Sequence, residues 1–456
     1  MKKIVISLTI GLLLVSCSFA PKYVRPNIEL PKAEITDNKS EPFTQWWKRY
    51  NDERLNKLID YALKNNDNLL IAFEKINEAS AAFNLAKANL YPNTYAAGSA
   101  SRTKVSEEVS ATGKSYTTNN FSISGGVSYE IDFFGKLKNQ KKAQLALLLS
   151  QKSYADAVRI KLISDVATTY FELCAIDKQL QIENELIKRY EESYNYRQKQ
   201  LKYGLINELT VQQEKANLDG SKLTLEVLKE NRKLLENVLS LLLGKSPSEI
   251  FGSSYNVCEK MPEPISLPPF IPSDVVEKRP DIIQAEENLK AANFAIGVAK
   301  AAYFPNISLT GALGLQSTDL TNLFQPSANF WNIGGSITAP IFDFGRIKAN
   351  VKIANSKQKQ ALLNYIFTVK NAFKEIHDAF IRLESIQKQI KIQKTQIENF
   401  KRILYIAEKQ YKNGLIDYIT VIEAKQHLEK TYINLVNLNK EYLKQQIFLY
   451  KALGGS

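Results

Sequence analysis

The chain has 456 residues, 44% of them hydrophobic and 23% charged, with a formal net charge of +13. That charged fraction excludes a polytopic helical membrane protein, and the lack of long low-complexity tracts excludes a mostly disordered chain. With only 19 glycines and 15 prolines, long uninterrupted elements are expected, and two histidines and three cysteines leave little material for a metal or thiol site.

The N-terminus opens with Lys2 and Lys3 before an apolar run from Ile4 to Val15. This run is shorter than the ~20 residues a spanning helix needs, so residues 1–16 read as a secretory signal. It ends in Leu14-Val15-Ser16-Cys17, which looks like the lipobox of bacterial lipoproteins. That resemblance implies an acylated Cys17 as the first mature residue, and Ser18 in place of Asp implies transfer to the outer membrane. Apart from this covalent lipid no cofactor and no metal is expected. Residues 17–51 form the lipidated N-terminal segment.

The rest of the chain repeats itself once. Lys199-Gln200-Leu201-Lys202-Tyr203-Gly204-Leu205-Ile206-Asn207 returns 210 residues later as Lys409-Gln410-Tyr411-Lys412-Asn413-Gly414-Leu415-Ile416-Asp417. Phe134-Gly135-Lys136 and Phe344-Gly345-Arg346 share that offset, while Pro92-Asn93 and Pro305-Asn306 lie 213 apart. Two repeats follow, 52–244 and 274–456, joined by a Pro-rich linker over 245–273. Each repeat runs in the same order. An Ala-, Glu- and Lys-rich helix (about 67–91 and 280–303) stops at Pro92 or Pro305, because proline cannot continue a helical hydrogen-bond ladder. A hairpin follows, 93–133 and 306–343, whose segments alternate apolar and polar residues with period two. Its tips, Val105–Asn119 and Thr318–Phe330, are polar or carry Pro326. A long helix without glycine or proline then covers 136–203 and 347–413. Its apolar residues, such as Leu362, Ile366, Val369, Phe373, Ile376, Phe380 and Leu383, step by four and three as in a coiled coil. Gly204 and Gly414 suit the left-handed position after a helix, and Asn207 and Asp417 suit the N-cap of the return helices over 208–243 and 418–453.

Four amphipathic strands cannot close a barrel, and open strand edges are not tolerated in lipid, so the chain is expected to oligomerise. A dimer would give eight strands and a trimer twelve. The polar strand face, with Ser122, Ser124, Ser128 and Glu130, would line the lumen.

These residues resemble the outer membrane factor family of TolC- and OprM-like channels, and most closely its NodT-type lipoprotein branch. The resemblance rests on the lipobox, the Tyr91–Asn93 and Phe304–Asn306 helix ends, Asp343-Phe344-Gly345, Arg279-Pro280-Asp281 and the Gly-Leu-Ile turns. It implies a mostly α fold with a membrane β portion: a homotrimer whose twelve-stranded barrel continues into a periplasmic α-helical barrel with a mixed equatorial domain. It also implies a passive exit duct for drugs and other small molecules in a tripartite pump. The partners would be outer-membrane lipid, a periplasmic adaptor docked at the turns (Gly204, Leu205, Asn207, Gly414, Leu415, Asp417), and an inner-membrane RND transporter. The periplasmic gate carried over from the family comprises Tyr411, Asp417, Ile419, Glu423 and Gln426. Thr420 and Gln426 stand where some members have a second acid and an arginine. An exit duct for type I protein secretion and a trimeric coiled-coil surface protein are the alternatives, though the latter leaves the hairpins and the duplication unexplained.

His377 and His427 are isolated and read as helix-surface residues. Asp132 and Asp343 fit strand-to-helix junctions, where a helix start favours an acid. Cys174 and Cys258 are expected as free thiols. No nucleotide-binding loop or catalytic triad is present, and none of the residues argues for an enzyme. The lysines scatter among Glu and Gln along the long helices, so the positive charge reads as solvated surface rather than a nucleic-acid site.

Overall fold

The computed structural model describes residues 18–26, 45–251, 261–265 and 278–455. Cys17, Cys258, the signal segment and most of the linker lie outside the described residues. The chain forms two compact units, one from residues 1–28, 75–152 and 284–366, the other from 29–74, 153–283 and 367–456.

The first unit contains a four-stranded antiparallel sheet in the order β1 (Asn93–Val105), β2 (Tyr116–Ile131), β3 (Asn306–Ser317), β4 (Asn329–Thr338). The duplication reaches its register. Asn93 lies opposite Ser128 in the first hairpin, and their counterparts Asn306 and Thr338 lie opposite each other in the second. β2 begins earlier than expected, because that register pairs Thr117 and Thr118 with Lys104 and Thr103. The β-branched threonines suit a strand. One sheet face is hydroxylated: Ser99 bonds Ser122 at 2.8 Å and Ser308 bonds Ser336 at 2.7 Å. The other carries exposed Ile123, Val127, Leu313, Trp331, Ile333 and Ile337. Such an apolar face matches a strand turned toward lipid.

At both strand-to-helix junctions the acid does what the sequence suggests. Asp132 accepts from the amides of Leu137 (3.1 Å) and Lys138 (2.7 Å), and Asp343 from those of Gly345 (3.0 Å) and Ile347 (2.7 Å). The segment after Cys17 is strapped down nearby. Phe19 stacks on Phe304 at 4.4 Å, Phe304 stacks on Phe134 at 4.7 Å, and the Asn293 amide donates to the Pro21 carbonyl at 2.6 Å.

The longer helices are α1 (Glu53–Asn65), α2 (Asp67–Ala88), α3 (Lys136–Lys202), α4 (Glu208–Leu242), α5 (Pro280–Ala301), α6 (Arg346–Lys412) and α7 (Tyr418–Ala452). The two long helices each have 67 residues and the two return helices 35, so the repeats match in length as well as order. Among the described residues no helix is long and apolar enough to cross a membrane.

The main core of the second unit gathers Leu55 and Ile59 of α1, Tyr170 and Phe171 of α3, Leu239 of α4, and Leu443 and Tyr450 of α7. Trp46 stacks on Tyr450 at 5.1 Å with an interplanar angle of 2°. Asp52 caps α1 and also accepts from the Tyr170 hydroxyl at 2.6 Å. Buried Gln446 exchanges two hydrogen bonds with the backbone of Ile265, so the described linker residues dock on this core. The expectation of a free thiol at Cys174 is wrong: it is disulfide-bonded. Met261 and Ile265 pack against the core that contains Cys174, a proximity that spacing along the chain does not reveal.

Arg279 is 6% exposed. It donates to the Ala452 carbonyl at 2.8 Å and pairs with Asp281 at 2.7 Å and Glu375 at 2.9 Å. Arg279→Ala unpairs the Ala452 carbonyl and removes the pairs with partly exposed Asp281 and Glu375, so a loss of about 1–3 kcal/mol is expected. Thermal unfolding in detergent checks it, and an unchanged midpoint would refute it.

Candidate functional site at the helix turns

The two turns are copies of one structure. After α3, Gly204 adopts φ +72°, and the amides of Gly204 and Leu205 bond the carbonyls of Leu201 and Gln200. After α6, Gly414 adopts φ +69°, with the same bonds from Gly414 to Tyr411 and from Leu415 to Gln410. Glycine suits the left-handed position because it has no Cβ to clash. Each turn presents an apolar tip, Leu205 and Leu415, both 70% exposed.

The following caps differ. Asn207 caps α4 through a bond from the Thr210 amide at 3.2 Å. Asp417, expected to cap α7, makes no side-chain cap bond. Its carboxylate instead reaches α3, accepting from the Tyr196 hydroxyl and, at 2.8 Å, from the Gln200 amide.

A series of such contacts joins α3 to the start of α7. Arg197 pairs with Glu423 at 3.7 Å and donates to Gln200 at 3.2 Å. The Tyr196 ring meets Tyr418 edge-on at 5.9 Å, and Tyr418 meets Tyr411 at 5.0 Å. Further along, Arg189 contacts Glu192 at 3.0 Å, Glu429 at 3.8 Å and Glu185 at 3.9 Å. Burial pushes the Glu429 carboxyl up against the opposing pull of Arg189, and Glu185, Glu183 and Glu192 add to the rise. The Asp417 carboxyl is held below its usual range, first by the Tyr196 hydrogen bond and also by Gln200 and Arg197, although burial opposes them. The same bond, with burial, pushes the Tyr196 phenol up to about 12.

Packing inside each helical hairpin adds apolar clusters. Leu186, Ile187 and Tyr190 of α3 cluster with Leu218 of α4, and Ala407 of α6 clusters with Val421 and Ala424 of α7. Each hairpin thus combines apolar contact with its own ion pairs, Lys222 with Glu191 at 3.1 Å and Lys425 with Glu408 at 3.4 Å, while near the turns the two hairpins meet through polar, ionic and ring contacts. Exposed ion pairs contribute only about 0–1 kcal/mol each. Near the turns the joint between the hairpins is therefore a weak one.

The gate residues named from sequence fall into three groups. Asp417 and Glu423 sit in the latch. Tyr411 packs on Tyr418 with 44% exposure. Ile419 and Gln426 are buried at 6% and 9%, facing into the chain. Ser122, Ser124, Ser128 and Glu130 share one face of β2, where Glu130 pairs with Lys136 at 3.1 Å.

Tyr196, Arg197 and Gln200 were missed by sequence reasoning. The signal that could have found the first two is a difference between the repeats. Tyr196 and Arg197 correspond to Ile406 and Ala407, while the acids Asp417 and Glu423 correspond to the neutral Asn207 and Gln213. The copies diverge where the latch is built.

The model of the outer membrane efflux protein family matches residues 58–245 and 271–455. The chain belongs to that family. It is 34% identical over 455 residues to the cation efflux system protein CusC of Escherichia coli K12, covering 98% of each chain. It is 33% identical over 457 residues to the probable outer membrane lipoprotein SilC of Salmonella typhimurium, covering 98% of this chain and 97% of SilC. The crystal structure of the Campylobacter jejuni CmeC outer membrane channel superposes with a TM-score of 0.84 at 30% identity, covering 96% of this chain and 95% of CmeC. The resemblance drawn from the sequence motifs therefore holds. This efflux protein works in the outer membrane, as the channel component of an efflux system.

Proposed function

We propose that this family member is a passive, gated exit duct closed by the polar latch at its helix turns. The observation that carries the reading is the set of hydrogen-bonded and ionic contacts from Tyr196, Arg197 and Gln200 of one hairpin to Asp417 and Glu423 of the other. Near the turns, hairpins joined this way can part without opening the core that α3 and α7 share farther along. Three copies would supply twelve strands, close the sheet edges and place the serine-bearing face on the lumen. The latch residues of each copy, Glu423 among them, would then recur around a threefold axis.

The exposed Leu205 and Leu415 tips offer a periplasmic adaptor six apolar knobs per trimer, and an inner-membrane transporter of the RND type supplies the energy. Acylation of Cys17 anchors the chain, in keeping with SilC being named a lipoprotein. Selection of cargo lies upstream, so drugs and cations of the kind named for CusC share one duct. A deletion strain is expected to accumulate several chemically distinct compounds several-fold, with restoration by the intact chain. Normal accumulation together with loss of a single secreted protein would overturn the reading in favour of protein secretion.

A further inference from the structure

The chain has three cysteines, Cys17, Cys174 and Cys258. Cys174 lies near the middle of α3, is 2% exposed and is disulfide-bonded. Its surroundings single out the partner. Cys17 adjoins Ser18, whose hydroxyl donates to Asn139 at 3.0 Å in the first turn of α3. Asn139 and Cys174 stand on the same unbroken helix, about ten turns apart. A disulfide needs Cα atoms within about 7 Å, so Cys17 is out of reach of Cys174. Its proposed acylation would in any case consume the thiol.

The linker is placed differently. Met261 packs against the core that contains Cys174. It also lines one cavity with Cys174 and Ile182 of α3 and with Leu435 and Val436 of α7. Only three peptide units separate Cys258 from Met261, so their Cα atoms are at most about 11 Å apart. Chain connectivity therefore keeps Cys258 in range of Cys174. Ile265, farther along, exchanges two hydrogen bonds with Gln446 of α7.

We propose that Cys174 is joined to Cys258, and that this disulfide fastens the linker to the helical core. The linker then has two fixings, a covalent one on α3 and a hydrogen-bonded one on α7. The bond closes a loop of roughly 80 residues, which withdraws conformational freedom from the unfolded chain. An oxidising compartment permits it, and a periplasmic thiol oxidoreductase bearing a disulfide supplies the oxidant. The Cys258 thiolate attacks that disulfide and releases one thiol of the oxidoreductase. The Cys174 thiolate then attacks the Cys258 sulfur in the mixed disulfide and releases the second. Two protein thiols thus lose two protons and two electrons, and the oxidoreductase disulfide becomes a dithiol. Because Cys174 is buried once folded, the exchange precedes the final docking of the linker.

Peptide mapping of the full-length chain tests the pairing, with extraction from membranes in N-ethylmaleimide and without reductant. Trypsin releases Cys174 in residues 162–178 and Cys258 in residues 246–260. These two peptides are expected as one linked mass that separates on reduction. Cys174 linked to the peptide bearing Cys17, linked to a second copy of itself, or alkylated would overturn the pairing. Cells lacking the periplasmic thiol oxidoreductase are expected to give at least tenfold less of the linked mass, and an undiminished amount would overturn the route. Lys260, between Cys258 and Met261, reports the fastening. Brief trypsin treatment of the folded chain is expected to cut after Lys260 at least tenfold faster in Cys258→Ser than in the native chain. Cys174→Ser and the double variant should match that rate, because all three lose the same bond. Equal cutting in all four chains would overturn the fastening while leaving the bond standing. Should a variant not insert, the native chain reduced after purification takes its place, with the same expected result.

Discussion

Tyr196→Phe combined with Arg197→Ala is expected to raise the open probability of the reconstituted channel by roughly two orders of magnitude. The double variant removes the hydroxyl that Asp417 accepts from and the guanidinium that Glu423 pairs with. Both carboxylates are solvent-exposed, so screening leaves about 1 kcal/mol per copy. If three copies part together, the change is about 3 kcal/mol, or roughly a hundredfold in the opening equilibrium. The apolar contacts within each hairpin are untouched, so the variant should fold and insert normally. Single-channel recording in planar bilayers checks it, and unchanged conductance and gating would sink the latch.

The same latch has a defined pH window. Asp417 has a depressed pKa in the folded state, so its stabilising contribution is fully present above the ordinary carboxylate range and is lost as pH falls through the depressed value. The Asp417 contribution to gating is therefore expected to stay constant from neutral pH down to about 5 and to be lost only in stronger acid. Asp417→Asn should behave at neutral pH as the native channel does in acid. A channel that opens progressively between pH 7 and 5 would place its control elsewhere.

Gly244→Ala is expected to destabilise the protein far more than the same change at either turn glycine. Gly244 has φ +68°, and a Cβ there would stand 2.1 Å from the Asn65 carbonyl oxygen. That oxygen belongs to backbone and cannot swing aside. The neighbouring Asn66 amide meanwhile donates to the Leu242 carbonyl at 2.9 Å, fixing α1 and α4 together. Left-handed strain of about 1–2 kcal/mol and overpacking of about 1–3 kcal/mol add to roughly 2–5 kcal/mol. Gly204 and Gly414 share the positive φ but have nothing within 4 Å of the added carbon, so only the strain of about 1–2 kcal/mol applies. Denaturant unfolding followed by circular dichroism separates the cases. Equal midpoints for Gly244→Ala and Gly204→Ala would refute the argument.

Much of the fold was legible because its determinants are local. The helix ends at 136, 202, 208, 346, 412 and 418 fall within a residue or so of expectation, since glycine, asparagine and proline act where they stand. The acid at each strand-to-helix junction likewise bonds amides only a few residues away. The candidate site was half legible. Asp417 was named as a cap, docking and gate residue and Glu423 as a gate residue, without the partners on α3 to which both bond. The partners Tyr196 and Arg197 were not named, because a period of three or four reports which face of a helix is apolar and says nothing about which helix lies opposite.

Sequence by itself determined the duplication, the order and length of the elements, the two-faced strands and the family, all of which follow from periodicity, breakers and short motifs. Only the tertiary structure decided that Asp417 leaves its own helix for Tyr196, more than two hundred residues away. Tertiary packing likewise set the buried places of Ile419 and Gln426 and the disulfide-bonded state of Cys174. Those outcomes depend on competition among partners brought together by packing, and that competition exists only once the hairpins stand side by side.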